Sequence, residues 1–313
     1  MKIVFLKYHI FRCHLILCMC FIILAGCNGG GSRTDLDSPE RGTIHISVDE
    51  SFKPIIDSQI QVFEALFPEA HIIPHYKPEA ECFKDLIKDS TRMIIVTRGL
   101  TEEEQKFYED SLHYSPAWEK VANDAIAVIV NNDATDSLFT ISELRGIMDG
   151  STGDKELVVF DGLSATSTVR FAIDSILKGN SFDPKKVFAE KSSVDVIDYV
   201  AKHKGVIGFV GVSWIGNKED TAQLSFLESV KIASLECTCP EKSFVKPYQA
   251  NILRKRYPLV RGLYYILKEN YNGLGSGFAN FLQYERGQLI FRRAYLAPAK
   301  MNFSIRPAIL NSQ

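Results

Sequence analysis

From residue 43 onward, short apolar segments with a period of two alternate with segments of helical period. The first strand-like segment, residues 43–48, is followed by a helical segment that ends near Phe67. Strand-like segments return at residues 70–76 and 92–97. Because strands that alternate with helices usually form a mostly parallel sheet, the pattern predicts an α/β fold. The roughly 270 residues after Gly42 exceed what one small core usually takes, so we expect two lobes.

Three predicted turns carry hydroxyl or guanidinium groups directly after a strand. Ligands of such sheets bind beyond the carboxyl ends of the strands. The turn after residues 157–160 also contains Ser164 and leads into a helix, whose first N–H groups favour an anion. We therefore expect the three turns to converge on an oxyanion. The candidate ligand residues are Ser51, Phe52, Thr97, Arg98, Thr166, Ser167, Thr168 and Arg170.

Each of these residues is also suited to an ordinary structural role. The hydroxyl residues are suited to cap the helices that follow them. Phe52 is suited to a hydrophobic core, and Arg98 to a surface ion pair with Glu102 or Glu103. On the residues alone, both interpretations stay open.

The first 26 residues resemble the signal peptide of a bacterial lipoprotein. Basic residues precede an apolar segment, residues 13–25, that is too short for an ordinary membrane span. Leu-Ala-Gly then stands before Cys27, as in a lipobox. The resemblance implies cleavage before Cys27 and acylation of its sulfur, so we expect an exported protein anchored to a bacterial membrane, on the periplasmic side. Residues 27–42 are rich in Gly, Ser and charge, which predicts a flexible tether.

The charge of the processed chain excludes a general polyanion binder. The sequence has 36 Lys and Arg against 38 Asp and Glu, and removal of Lys2, Lys7 and Arg12 leaves 33 against 38, a net charge of −5. Any anion site must therefore be local.

The histidine and serine residues show no catalytic pattern. His71 and His75, four positions apart in a strand-like segment, share one face, but an exposed strand face explains them as well as a metal pair does. No Gly-x-Ser-x-Gly elbow occurs. We therefore expect neither enzyme activity nor a metal or cofactor.

Three cysteines remain after Cys27. Cys237 and Cys239 are too close in sequence for an easy mutual disulfide, and they lack the Cys-x-x-Cys spacing of zinc and redox sites. Cys82 is a possible partner for either. We expect all three to be structural, with their pairing left open.

The chain is expected to cross between the two lobes twice. Residues 121–131 predict a strand that passes between them, and residues 244–248 predict the return. Lobe 1 then comprises residues 43–122 plus 246–313, and lobe 2 comprises residues 123–245.

The C-terminal part is expected to contain two further helices. Their predicted bounds are residues 257–267 and 278–289, and the glycine-rich residues 273–277 are expected to be mobile.

Seven short segments follow one another in the order found in the phosphate-binding proteins of bacterial phosphate ABC transporters, and the chain resembles that family, which has the type 2 periplasmic-binding-protein fold. The resemblance covers nearly all of residues 43–307. No single segment is specific, but their order behind a lipobox is. The segments are residues 49–54, 96–101, 123–131, 164–170, 206–209, 257–261 and 287–288.

The resemblance implies two α/β lobes with a hinge, and a cleft in which the candidate residues named above bind inorganic phosphate or a similar oxyanion. Three departures stand out. Ser167 replaces the usual glycine of the family's Ser-Gly-Thr cradle, and residues 77–80, Lys-Pro-Glu-Ala, replace a Gly-Ser-rich turn. No carboxylate that accepts the proton of hydrogen phosphate is evident, which leaves selectivity against sulfate open.

The resemblance implies capture rather than chemistry. The expected protein is a monomer that closes on the oxyanion and delivers it to the permease subunits of an ABC transporter, without binding nucleic acid. The alternative is an oxyanion sensor or scaffold lipoprotein on the same fold.

Overall fold

The computed structural model describes residues 37–300, except residues 89, 154, 163–165 and 218. The predicted signal peptide, the predicted lipidation site Cys27 and Ser164 lie outside the described residues. In the described part, helices that combine the length and the apolar character needed to cross a bilayer are not found. Strands and helices alternate along it, as the sequence pattern predicts.

The described chain contains thirteen strands and ten α-helices. The strands are β1 (Gly42–Asp49), β2 (Ala70–Lys77), β3 (Thr91–Val96), β4 (Ala117–Asn131), β5 (Leu138–Phe139), β6 (Leu157–Phe160), β7 (Val187–Ala189), β8 (Val206–Gly211), β9 (Val230–Ile232), β10 (Ser234–Glu236), β11 (Phe244–Val245), β12 (Val260–Leu267) and β13 (Ala297–Pro298). The helices are α1 (Lys53–Leu66), α2 (Glu79–Leu86), α3 (Glu102–Leu112), α4 (Ile141–Asp149), α5 (Ser167–Ala172), α6 (Ser193–Lys202), α7 (Thr221–Ser229), α8 (Gln249–Leu253), α9 (Leu274–Gln283) and α10 (Glu285–Arg293). A π-helical segment, Ile173–Leu177, continues α5.

The main sheet is parallel at both ends and antiparallel in the middle. Its path is β2-β1-β3-β12-β4-β8-β6-β7, and β9 and β13 also pair with β4. At one end β1 runs parallel to β2 and β3, and at the other β6 runs parallel to β7 and β8. The long strands β12 and β4 are antiparallel to their neighbours and join the two parallel parts. A separate small sheet has the order β11-β10-β5.

Strand β4 contributes to two hydrophobic cores. Val121 packs in the smaller core with β1, β3 and α1, whereas Ala125 packs in the larger core with β6 and β8. On the way back, Tyr257 still belongs to the larger core and Leu263 to the smaller one. The returning chain therefore passes from the larger core to the smaller one between Tyr257 and Leu263.

Residues 257–267, predicted to be a helix, contain strand β12 instead. The prediction was wrong because the apolar side chains of this segment also alternate, and Leu263, Tyr265 and Leu267 are all buried. Val, Ile and Tyr side chains favour a strand between two others. Here β3 and β4 supply partners on both edges, which decides against a helix.

The glycine-rich residues 273–277, expected to be mobile, are helical from Leu274 onward. A side chain at Gly277 would collide with the carbonyl oxygen of Pro39, so glycine here permits a close approach. The prediction of a single helix over residues 278–289 was also wrong, since Tyr284 separates two helices, α9 and α10.

Residues 37–42, which were assigned to the tether, are bonded to the fold. The Asp37 carboxylate accepts hydrogen bonds from Arg92 Nη1 at 3.0 Å, the Tyr271 hydroxyl at 2.6 Å and the Leu274 N–H at 3.1 Å. The folded unit therefore begins at or before Asp37, and the predicted tether extends too far.

Cys237 and Cys239 form a disulfide, although they were expected to be too close in sequence to pair easily. The chain bends after β10, and the two Cα atoms are 5.2 Å apart, inside the normal range for a disulfide. Cys82 is free and buried.

Candidate anion-binding site

Two of the predicted turns meet at the carboxyl ends of β1 and β6. The Ser51 hydroxyl oxygen lies 3.3 Å from that of Ser167 and 3.4 Å from that of Thr168, and all three residues are buried. We call these three residues the hydroxyl cluster. Thr166 is the N-cap of α5 and accepts the Val169 N–H at 3.3 Å. The capping role therefore belongs to Thr166, whereas the Thr168 hydroxyl donates to Asp161 Oδ2 at 3.5 Å.

Arg261 places a buried guanidinium group beside the hydroxyl cluster. Across the β12–β4 ladder it is paired with Asp124, to whose Oδ2 its Nε donates at 2.9 Å. Its Nη1 donates to the Ser167 hydroxyl at 2.8 Å, and its guanidinium carbon lies 5.0 Å from the centre of the Phe52 ring. Among the described residues, its Nη2 has no hydrogen-bond partner, although Arg261 is only 4% exposed. A buried N–H of this kind favours a further acceptor.

A second donor set lies at the carboxyl end of β3. Arg170 Nη2 donates to the Thr97 hydroxyl at 2.6 Å. Thr97 and Arg170 both donate hydrogen bonds to Glu79, which is the first residue of α2. The Glu79 carboxylate accepts the Thr97 N–H at 2.8 Å, the Thr97 hydroxyl at 2.5 Å and Arg170 Nε at 2.7 Å.

Arg98 belongs to neither donor set. Its Nη1 and Nη2 donate to the two carboxylate oxygens of Glu104 at 2.7 and 2.9 Å, and its guanidinium carbon lies 3.9 Å from the centre of the Phe83 ring. Glu104 also completes the capping box of α3 with Thr101. Arg98 thus forms an ion pair, as the alternative interpretation expected, but with Glu104 rather than with Glu102 or Glu103, and these contacts do not support a ligand role.

Several carboxyl groups adjoin the hydroxyl cluster. Burial raises the pKa of Asp49 to about 6, with Arg261 opposing the shift and the charge of Glu79 adding to it. Burial and the charge of Asp161 raise the pKa of Glu50 to about 7. Burial likewise raises the pKa of Asp161 against the attraction of Arg261. Burial, with a smaller contribution from neighbouring charges at Asp49 and Glu50, therefore brings the titration of these two groups nearer to neutral pH.

These raised pKa values predict a protein that is more stable at pH 5 than at pH 8. A carboxyl group whose folded pKa is raised stabilises the fold fully below its unfolded pKa, and this contribution is lost as the pH rises through the folded value. Between pH 5 and 8, Asp49 and Glu50 should each lower the free energy of unfolding by on the order of 2 kcal/mol. The midpoint of thermal unfolding, measured without phosphate or sulfate, should fall over this interval.

The variant Glu50→Gln keeps an acceptor for the Ser193 hydroxyl and should reduce this pH dependence. The matched control is Asp85→Asn. Burial raises the pKa of Asp85, but hydrogen bonds from Lys77 and Lys88 outweigh it and lower that pKa, so this group is ionised above pH 5 in both states. A midpoint that rises from pH 5 to pH 8 would contradict the prediction.

Three polar residues near the site follow other strands and were not predicted from the sequence. Glu79 follows β2, Ser193 follows β7 and Ser213 follows β8. The Ser193 hydroxyl donates to Glu50 at 2.9 Å, and the Ser213 hydroxyl donates to the Ser51 carbonyl oxygen at 2.5 Å. Residues 70–76 were predicted to be a strand, so the expectation that ligands bind beyond the carboxyl ends of strands, applied there, would have identified Glu79.

The histidine pair considered for a metal is arranged differently. His75 Nε2 lies 2.9 Å from Nδ1 of His45, and the two rings are stacked. In the part of the chain that the structure describes, the group with metal-like spacing is Cys237, Cys239 and Glu241, and its two sulfur atoms are joined in the disulfide.

Known proteins share this architecture. The phosphate-binding protein PstS of Pseudomonas aeruginosa is 24% identical over 242 residues, which is 71% of this chain and 71% of that protein. A proposed phosphate ABC transporter substrate-binding protein from Clostridium perfringens, solved with bound phosphate, is 19% identical, has a TM-score of 0.67, and is covered fully by 83% of this chain. An ABC-type phosphate transport receptor from Vibrio cholerae is 20% identical, with a TM-score of 0.60 over 82% of this chain and 100% of that one.

A mixed sheet whose parallel strands gather polar groups at their carboxyl ends defines a ligand-binding α/β protein, here of the type 2 periplasmic-binding-protein fold. The family model described as PBP superfamily domain matches residues 34–286. The chain therefore belongs to the PBP superfamily, and the expected fold class is confirmed.

Proposed function

We propose that this protein is an extracytoplasmic, lipid-anchored solute-binding protein that captures inorganic phosphate, or a similar tetrahedral oxyanion, for an ABC permease. The observation that carries the proposal is a group of hydroxyl and guanidinium donors, buried except for the half-exposed Arg170, beyond the carboxyl ends of the strands. These donors are the hydroxyl cluster, Arg261 Nη2 and the Thr97–Arg170 pair. A dehydrated oxyanion requires such charged and hydroxyl donors. Relatives and solved structures that are named for phosphate binding support this ligand class.

Capture needs a movement, which we assign to the two lobes predicted from the sequence. Ser51 and Thr97 come from lobe 1, whereas Ser167, Thr168 and Arg170 come from lobe 2. Donors from both lobes are therefore complete around a ligand only in a closed form, which favours closure by a hinge motion. The proposed role is capture and release without a chemical step.

The cellular setting rests on the N-terminal sequence. Acylation of Cys27 would hold the protein at the membrane surface, and the residues that follow would let it reach a permease. The proposed form is a monomer, with no nucleic acid partner.

Selectivity is assigned to a carboxyl group that was not evident in the sequence. Asp49, the last residue of β1, is buried, and its Oδ1 accepts the Ser51 N–H at 2.9 Å. Monohydrogen phosphate carries a proton that Asp49 could accept, whereas sulfate at neutral pH has none. We therefore expect phosphate to bind more tightly than sulfate.

The test is a calorimetric titration of the purified protein with phosphate and with sulfate at neutral pH, after unfolding and refolding to remove any carried ligand. Phosphate should bind at micromolar concentration or below, and sulfate at least tenfold more weakly. Equal binding of both anions would reduce the ligand to an unspecified oxyanion. No binding of either by a folded sample would contradict the transport role.

One observation favours the alternative of a sensor or scaffold on the same fold. Glu79 already bonds to Thr97 and Arg170, which is compatible with a weak or lost anion site. The titration distinguishes a scaffold from the transport role, because a scaffold does not have to bind the anion, whereas a sensor would bind it as a transport receptor does.

A further inference from the structure

Glu79 makes the contacts that an oxyanion would make in the second donor set. One carboxylate oxygen accepts both the N–H and the hydroxyl of Thr97, and the other accepts Arg170 Nε. A backbone N–H, a hydroxyl and a guanidinium group are the donors that proteins use for carboxylate and phosphate alike. The Glu79 side chain is 4% exposed, whereas that of Arg170 is 39% exposed, so the carboxylate itself is largely removed from water.

We propose that Glu79 is an internal anion that competes with the bound oxyanion for Thr97 and Arg170. The inference rests on the proposed function and deepens it, because it makes Glu79 the residue that sets the affinity of the same site. A ligand phosphate must displace this carboxylate, or bind with the hydroxyl cluster and Arg261 while Glu79 keeps the second donor set.

The charge of Glu79 supports this role. Burial raises its pKa, but hydrogen bonds from Arg170 and Thr97 outweigh burial and lower the pKa, so the group is ionised. Its charge also acts near the hydroxyl cluster and Arg261, the first donor set, since it contributes to the raised pKa of Asp49. An entering anion therefore meets the repulsion of Glu79 in both sets.

Displacement exchanges one set of charge-assisted hydrogen bonds for another of the same kind. The affinity for the ligand is then the difference between two similar interactions, rather than the full strength of the donors. A neutral side chain of the same shape at position 79 removes the competitor and leaves the donors in place.

The experiment compares the wild-type protein with Glu79→Gln by calorimetric titration with inorganic phosphate. The glutamine side chain of this variant is not charged, so Arg170 loses its buried ionic partner and keeps only the exposed Asp174, which makes its Nε available to the anion. We expect the Kd for phosphate to fall at least tenfold. An unchanged or higher Kd in a folded variant would overturn the proposal. Circular dichroism establishes folding, and Glu79→Ala, expected to change the Kd in the same direction, serves if the glutamine variant does not fold.

The matched control is Asp174→Asn. Asp174 pairs with the same arginine, to Nη1 at 3.4 Å, but its side chain is 59% exposed. Removing this carboxylate changes the net charge equally and should leave the Kd within about twofold, as an exposed pair contributes little. An equal decrease of the Kd for phosphate in both variants would show a general charge effect and overturn the specific role of Glu79.

The outcomes also separate this inference from the proposed function. If the wild-type protein binds phosphate and the Glu79 variants bind it no more tightly, only the inference fails. If the variants bind phosphate and wild type does not, the internal competitor is supported and the transport role of the wild-type protein fails. If none of the folded proteins binds phosphate, both fail.

Discussion

Replacing Arg261 with methionine is expected to destabilise the protein by about 3–5 kcal/mol. The Arg261 and Asp124 side chains are 1% and 0% exposed and are bonded at 2.9 Å. Methionine fills most of the space but leaves Asp124 buried without its partner, and removing one partner of a buried pair is far costlier than removing an exposed pair. Thermal unfolding of the variant should shift downward by roughly 10 °C for a chain of this size.

Two further variants test the cause of this loss. Arg293→Met breaks an exposed pair with Glu219 at 2.8 Å, in which the side chains are 73% and 69% exposed, and should cost less than about 1 kcal/mol. The double variant Arg261→Met with Asp124→Leu replaces the buried pair by apolar groups and should recover much of the stability. A loss in Arg261→Met no larger than in Arg293→Met would contradict the prediction.

Local patterns predicted the parts of the fold and site that depend on short stretches of chain. The alternation of strands and helices placed β1, β2, β3 and β6 correctly, because each has a clear period of two or a short apolar run. The capping boxes at Thr101 and Thr140 mark the starts of α3 and α4, since a side chain three residues away completes each one. Ser51 was predicted to lie near the turn after β6, because parallel strands of one sheet end at the same edge, and the two are in contact through Ser167.

Pairing between distant segments could not be predicted from local sequence patterns. Whether residues 260–267 form a helix or a strand is decided by β3 and β4 on either side, not by the segment itself. The position of Arg261 depends on the register that sets it opposite Asp124, 137 residues earlier in the chain. A segment predicted to be a helix offers no such register, so this central guanidinium group was not assigned a role.

The two arginines of the predicted site show the same limit. Arg98 and Arg170 look equivalent in sequence, since each stands near a strand end among hydroxyl residues. Glu104 holds Arg98 from the adjacent helix, whereas Arg170 reaches across the sheet edge to Thr97. Only the positions of the carboxylates in space, which local patterns do not determine, distinguish the two.

Arg170→Ala is expected to weaken phosphate binding by about 2–5 kcal/mol, which corresponds to a rise in Kd of about 30-fold or more. Arg170 supplies the charge of the second donor set and joins it to Thr97, so its loss leaves a desolvated anion without an ionic partner there. The measurement is calorimetric titration of a folded sample. An unchanged Kd would remove Arg170 from the site.

The control for this variant is Arg98→Ala, which removes the other arginine assigned to the site from the sequence. Because Glu104 holds its guanidinium group, we expect the Kd to stay within about twofold. A large loss in Arg98→Ala would restore the assignment made from the sequence and contradict the one made from the contacts. In the Glu79→Gln background, Arg170→Ala should cost more affinity than in wild type, because the arginine removed there no longer shares its donors with an internal carboxylate.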